Sequence, residues 1–206
     1  MTKKKVIAYV DGLNVYGGLK KPAFRKFLWL DLSSLVELFL GGKEELHQVK
    51  YFTSPMRGNN PRVVRQSIFL DALSSDSRIK IYLGRFKEHQ TECRNCGSVW
   101  QDRREKETDT GLTAELIKDA FTNEFDIAVL VAGDTDYIPA AKIIKNHCTD
   151  KELYLLRPFN CGPCHDLIAV VDRNFKVRQK HLVQAQYPSE VTSSAGFIIK
   201  RPTAFS

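Results

Sequence analysis

Two short apolar runs in this chain end in acidic residues. Residues 6–10 lead into Asp11, Gly12, Leu13 and Asn14, and residues 127–131 lead into Ala132, Gly133, Asp134, Thr135 and Asp136. Short β-branched runs predict buried parallel strands. Open parallel sheets bind ligands just beyond the carboxyl ends of their strands. A third acid, Asp109, opens the helical stretch before the second run, where an N-cap role is equally open to it. Carboxylates from separate segments meeting at one sheet edge suit a hard divalent cation, Mg2+ or Mn2+, which prefers oxygen ligands and keeps part of its water. Such an ion neutralises a phosphate oxygen and makes a water nucleophilic, the two needs of phosphodiester hydrolysis. Asn14, in the Asp11 turn, can hold the loop or a water. Any one of these aspartates alone fits a turn or a helix cap; their joint placement at two strand ends favours the metal reading. Glu115 lies almost two turns beyond Asp109 and roughly 120° round the helix. It can reach the same site or stay on a solvated face.

The rest of the chain supplies the elements that must position these acids. Apolar runs predict strands at residues 6–10, 48–52, 79–83, 127–132 and 153–156. A loop carrying Gly17, Gly18, Lys20, Lys21 and Pro22 follows the first. Asp31 reads as the N-cap of a helix carrying Leu32, Leu35, Val36 and Phe39, stopped by Gly41 and Gly42. Pro61 fits the first turn of a second helix. Helical spacing returns from Asp109, from Ile138 and around Leu167, Ile168 and Val171. Alternating strands and helices imply a mostly parallel central sheet covered on both faces, an α/β fold. The 206 residues suffice for one good core. The expected organisation is one domain over residues 1–187, a polar Cys-containing insertion at about 84–106, and a tail at 188–206. Phe197, Ile198 and Ile199 of that tail either dock on the body or form an edge strand. No apolar stretch approaches the roughly 20 residues of a membrane span. Lys3 to Lys5 read as a solvated lead-in, so no membrane role and a cytoplasmic location are expected.

The net charge of +7 biases the chain towards polyanions. Lys20 and Lys21 follow the first acid, and Arg103, Arg104 and Lys106 precede Asp109. Tyr16 and Trp100 can stack a base of single-stranded RNA, or Trp100 can pack beneath the insertion. Four of the five cysteines form two Cys-x-x-Cys pairs, Cys93/Cys96 and Cys161/Cys164. Without a secretory signal, metal binding outranks a disulfide framework. One pair gives half a tetrahedral zinc site, and the second could complete it; His89 and His165 are alternative ligands. A redox pair at Cys161/Cys164 is a rival reading, and Cys148 reads as buried packing.

Residues 9–19, 105–121 and 125–144 together resemble the successive motifs of the NYN domain family, a PIN-like ribonuclease group that includes the LabA-like bacterial proteins. The family pattern is Asp-Gly-x-Asn after the first strand, Lys-x-x-Asp opening a helix, and Ser-Gly-Asp-Ser-Asp-Phe after the fourth strand. Asp11–Asn14 match the first, Lys106–Asp109 the second and Ala132–Tyr137 the third, with Ala132 for Ser and Tyr137 for Phe. A further acid common along the second motif's helix is Glu115 here. The resemblance covers residues 5–186. It implies a PIN-like three-layer α/β/α sandwich with a divalent-metal ribonuclease site, metal-proximal Asp11, Asp109, Asp134 and Asp136, and a supporting Asn14. A subset of the family is similar in carrying Cys-Arg-x-Cys-Gly-x-x-Trp before the acidic helix, as residues 93–100 do. The expected activity is endoribonuclease; the alternative is an RNA-binding or protein-interaction module that keeps the fold.

Overall fold

Residues 6–10 and 127–131 are buried throughout, as strands covered on both faces must be. The computed structural model describes residues 2–56, 58–93 and 95–205, and the side chains of these except 86–89 and 100–106. The first half runs β1 (Lys4–Asp11), α1 (Gly12–Leu19), a 3-10 turn (Pro22–Phe27), α2 (Leu32–Glu37), β2 (Glu44–Thr53), α3 (Pro61–Leu73) and β3 (Ile79–Leu83). A hairpin of β4 (Arg85–Glu92) and β5 (Val99–Lys106) leads to α4 (Thr108–Phe121). Next come β6 (Ile127–Val131), a 3-10 turn (Thr135–Tyr137), α5 (Ile138–His147), β7 (Glu152–Arg157), α6 (His165–Ile168) and β8 (Arg173–Lys176). The chain continues with α7 (Gln179–Gln184), β9 (Glu190–Thr192), β10 (Ile198–Lys200) and a last turn at Thr203–Phe205.

The main sheet has six strands in the order β3-β2-β1-β6-β7-β8, and every pairing is parallel. Side chains alternate between its faces. Val6, Ala8 and Val10 of β1 pack in one core with Leu32, Leu35 and Val36 of α2 and Leu73 of α3. Ile7 and Tyr9 pack in the other with Leu112 and Leu116 of α4 and Ile144 of α5. The result is a three-layer α/β/α sandwich with acids at the ends of two central strands.

Several elements differ from the sequence expectation. The Gly17–Gly18 segment is helical: the Asp11 side chain caps α1, and Gly18 fits because a Cβ there would lie 1.9 Å from the Phe159 carbonyl oxygen. Helix α2 ends at Glu37, ahead of Gly41, although Asp31 does cap it through Ser34 N. Asp109 is no N-cap. That position belongs to Glu107, whose φ of 78° is left-handed and costs energy in a non-glycine residue. Only His165–Ile168 is helical around Leu167, and Arg173–Lys176, too polar to read as a strand, forms the sheet edge. Residues 188–205 dock on the body with their own β9–β10 hairpin against α3, separate from the main sheet.

Candidate metal-binding edge

The site is assembled from loops at the carboxyl ends of β1 and β6 and the start of α4. Asp11 is 2% exposed. Its Oδ1 accepts from Asn14 N at 2.9 Å, and its Oδ2 accepts from the Asn14 side-chain amide. The same side chain turns its Oδ1 to Gly133 N at 2.9 Å, so one amide ties the β1 loop to the β6 loop. The sequence proposed Asn14 as support, and this is how it supports.

Tyr137 is the residue that sequence reasoning passed over. Its hydroxyl lies 2.9 Å from Asp11 Oδ2 and 3.0 Å from Asp109 Oδ1. A phenol carries one proton, so it can donate to only one carboxylate at a time. The other contact is complete only if that carboxylate is protonated. Burial pushes the Asp11 carboxyl up to about 6; the bonds from Asn14 and Tyr137 oppose this, and the charge of Asp109 adds to it. The visible signal was the tyrosine standing where the resembled family has phenylalanine.

Asp109 lies exposed in the first turn of α4, held from below by Thr108, whose Oγ1 is 3.2 Å from Ser54 Oγ at the end of β2. Asp134 and Asp136 are exposed on the 3-10 turn after β6, and neither forms an ion pair among the described residues. Gly133, which precedes them, admits no side chain: a Cβ would lie 1.9 Å from Cys161 Sγ. Cys161 thus belongs to the acidic edge, where burial raises its thiol pKa.

Glu115 turns away from this edge. It binds Lys50 Nζ at 2.6 Å, Lys118 Nζ at 2.7 Å and the Tyr82 hydroxyl at 3.0 Å. Against the cost of burial, Lys118, Lys50 and Tyr82 hold its carboxyl down to about 2. Lys50, 5% exposed, also meets Asp119 at 2.5 Å, and Asp119 accepts from the Tyr9 hydroxyl at 2.6 Å. Glu115 therefore serves a buried ion-pair network under α4.

The two cysteine pairs do not meet. Cys93 and Cys96 occupy the tip of the β4–β5 hairpin, where the Ser98 hydroxyl lies 2.9 Å from Cys96 Sγ and pulls that thiol's pKa down. Cys161 and Cys164 lie after β7, with Cys164 buried in the α4–α5 core. Among the described residues no three His, Cys, Asp or Glu side chains form a group able to hold a metal ion. The acids at the sheet edge thus offer no complete protein cage. Their all-oxygen donor set, with Asp134 and Asp136 unpaired, fits a hard cation that takes one or two carboxylates and fills its shell with water and phosphate.

Of the basic residues, Lys20 and Lys21 are exposed beyond α1, and Tyr16 is half-buried on it. The side chains of His89, Trp100, Arg103, Arg104 and Lys106 lie outside the described residues; Arg103, Arg104 and Lys106 belong to β5 by their backbone. No helix among the described residues is long and apolar enough to cross a membrane.

The family description "NYN domain" matches residues 5–177. A curated relative, 6-hydroxy-3-succinoylpyridine 3-monooxygenase HspA of Pseudomonas putida, is 27% identical over 186 residues. That alignment covers 73% of this chain and 58% of the relative, so the chain spans little more than half of that relative's length. A crystal structure of a protein of unknown function from Vibrio parahaemolyticus shares the fold with a TM-score of 0.52 at 17% identity, covering 86% of this chain and 94% of that one. With most of its length matched and the three-layer sandwich in place, the chain belongs to the NYN domain family, whose fold is PIN-like.

Proposed function

We propose that this chain is a divalent-metal-dependent endoribonuclease acting at the carboxyl edge of β1 and β6. The observation that carries the reading is the meeting of Asp11 and Asp109 at the Tyr137 hydroxyl, on a loop that Asn14 ties to the segment bearing Asp134 and Asp136. Asp134 and Asp136 would hold Mg2+ or Mn2+, with Asp11 and Asp109 beside it and water and phosphate filling its shell. When bound, the ion lowers the pKa of its water and neutralises the phosphate. Asp11 accepts two bonds from Asn14 and one from Tyr137, which fix its carboxylate. Asn14 fixes the spacing of the two acidic loops, and the Tyr137 hydroxyl holds Asp11 and Asp109 close together. RNA is the proposed partner, with Lys20, Lys21, Tyr16 and the β5 cations along its path. The Cys93/Cys96 pair would supply two of the four ligands of a structural zinc.

A second reading follows the relative named as a hydroxypyridine monooxygenase, because a cavity of about 300 Å³ beside α1 has the size for a small aromatic acid. One assay separates the two. Purified protein with Mn2+ should cleave single-stranded RNA, and Asp136→Asn should abolish cleavage while leaving the fold intact. Equal cleavage by the variant means a contaminating nuclease and ends the assignment.

A further inference from the structure

The cavity beside the acidic edge has a composition that the acids do not explain. Three aromatic side chains, Tyr16, Tyr51 and Phe69, are among the residues that line it. Arg25, Arg62 and Arg65 also line it, and none of the three pairs with a carboxylate among the described residues. Unpaired guanidinium groups beside aromatic side chains match a flat ring that carries an anionic group. Gly12 and Leu13, the first turn of α1 immediately after Asp11, form the wall shared with the acidic edge. A Cβ on Gly12 would lie 2.6 Å from the Tyr51 hydroxyl, so the glycine keeps this wall thin.

The remaining wall comes from the far end of the chain. Ala204 and Phe205 line the cavity, and Phe205 is 7% exposed. Arg201 fastens this turn by donating from Nη2 to the carbonyl oxygens of Phe205 and Lys26. The pocket is therefore built jointly by α1, α3 and the C-terminal turn.

We propose that this cavity seats one nucleotide of the RNA, its base on Tyr16, Tyr51 and Phe69 and its phosphate on Arg25, Arg62 and Arg65, one step along the strand from the bond cut at Asp11. The assignment deepens the ribonuclease reading and rests on it for the identity of the ligand. Rings stack on aromatic side chains whatever the base, and arginine forks grip phosphate bidentately. The pocket thus sets where the strand sits and has room to prefer one base.

The test uses nucleoside 5′-monophosphates as probes, titrated by calorimetry without divalent ion so that hydrolysis plays no part. The intact protein should bind at least one of the four saturably. The Arg62→Ala/Arg65→Ala double variant should bind it at least 10-fold more weakly, and Tyr16→Leu should weaken it several-fold while circular dichroism stays unchanged. Asp136→Asn should bind as the unaltered protein does, which separates this test from the cleavage assay. On RNA, the double arginine variant should raise KM and leave kcat near its starting value. Three results overturn the proposal: no binding of any nucleotide, binding that the arginine variants leave untouched, or selective binding of a pyridine carboxylate in place of nucleotides.

Discussion

Asp11 and Asp109, from chain segments far apart in sequence, are bridged by the single hydroxyl of Tyr137, 2.9 Å from one and 3.0 Å from the other. The bridge makes the edge sensitive to pH. Asp11 has a folded pKa of about 6 against an ordinary 3.8, raised by burial first and by Asp109's charge as well. Because the fold prefers the neutral acid, the stability Asp11 contributes is full below pH 3.8 and is lost as pH rises through about 6. The difference amounts to about 3 kcal/mol. A cation favours the carboxylate and must displace that proton. Mn2+ should therefore raise Tm more at about pH 7.5 than at about pH 5. An Mn2+ shift independent of pH across this window would dissociate Asp11 from the ion.

Tyr137→Phe restores the residue of the resembled family and deletes the bridge. The hydroxyl's bond lowers the Asp11 pKa, so its loss should move the midpoint of the Mn2+ response upward from about 6. The cost in stability should be about 1–2 kcal/mol. Fluorimetric melts across a pH series, with and without Mn2+, read both effects.

Asp134→Asn and Asp136→Asn should each lose RNA cleavage by 100-fold or more with Tm within a degree or two of the parent. Both side chains are exposed and outside the described ion pairs, so little folding energy depends on them. Retained cleavage with Asp134→Asn alone would remove that residue from the ion's shell.

Glu115→Gln should do the reverse. Lys50 would keep only Asp119 as a charged partner, and stability should fall by roughly 1–3 kcal/mol. Cleavage per folded molecule should stay near the starting value. The native Glu115 contribution is present above the ordinary carboxylate pKa of 4.5 and is lost as pH falls through about 2, so it is intact at about pH 5 and 7.5, where the Mn2+ shifts are compared. Urea titration at about pH 7 and single-turnover cleavage separate the two roles.

Gly133→Ala should destabilise by about 1–3 kcal/mol through overpacking against Cys161. Adding Cys161→Ala removes the blocking sulfur, and the pair should recover at least half of the loss. A double-mutant cycle in urea checks this; purely additive losses would show that Cys161 is not what confines Gly133.

Five of the six main-sheet strands, and the acids that follow two of them, were legible because apolar runs and strand-end acids follow directly from a sheet covered on both faces. What escaped depended on contacts distant in sequence. Nothing near Gly17–Gly18 announced that Asp11 would cap a helix there, since the second glycine answers to Phe159. Glu115 was ambiguous by helical angle alone, and Lys50 on β2 decided its direction. Tyr137 looked like a neutral departure from a motif until Asp11 and Asp109 were seen on either side of its hydroxyl. The pairing of Cys161 with Gly133 shows the same limit: the Cys-x-x-Cys spacing suggested a metal, and the packing of two loops assigned the first sulfur elsewhere.

In the order β3-β2-β1-β6-β7-β8, the two acid-bearing strands are adjacent and interior. The β4–β5 hairpin leaves from the β3 border, and the β9–β10 hairpin leans on α3. The acids after β1 and β6 and the β9–β10 hairpin are therefore anchored to different parts of the scaffold, whereas the β4–β5 hairpin runs directly into the start of α4. The β9–β10 hairpin can be exchanged or lengthened without altering the spacing of Asp11, Asp109, Asp134 and Asp136. This separation lets the hairpin vary in length and sequence while the acidic edge keeps its spacing.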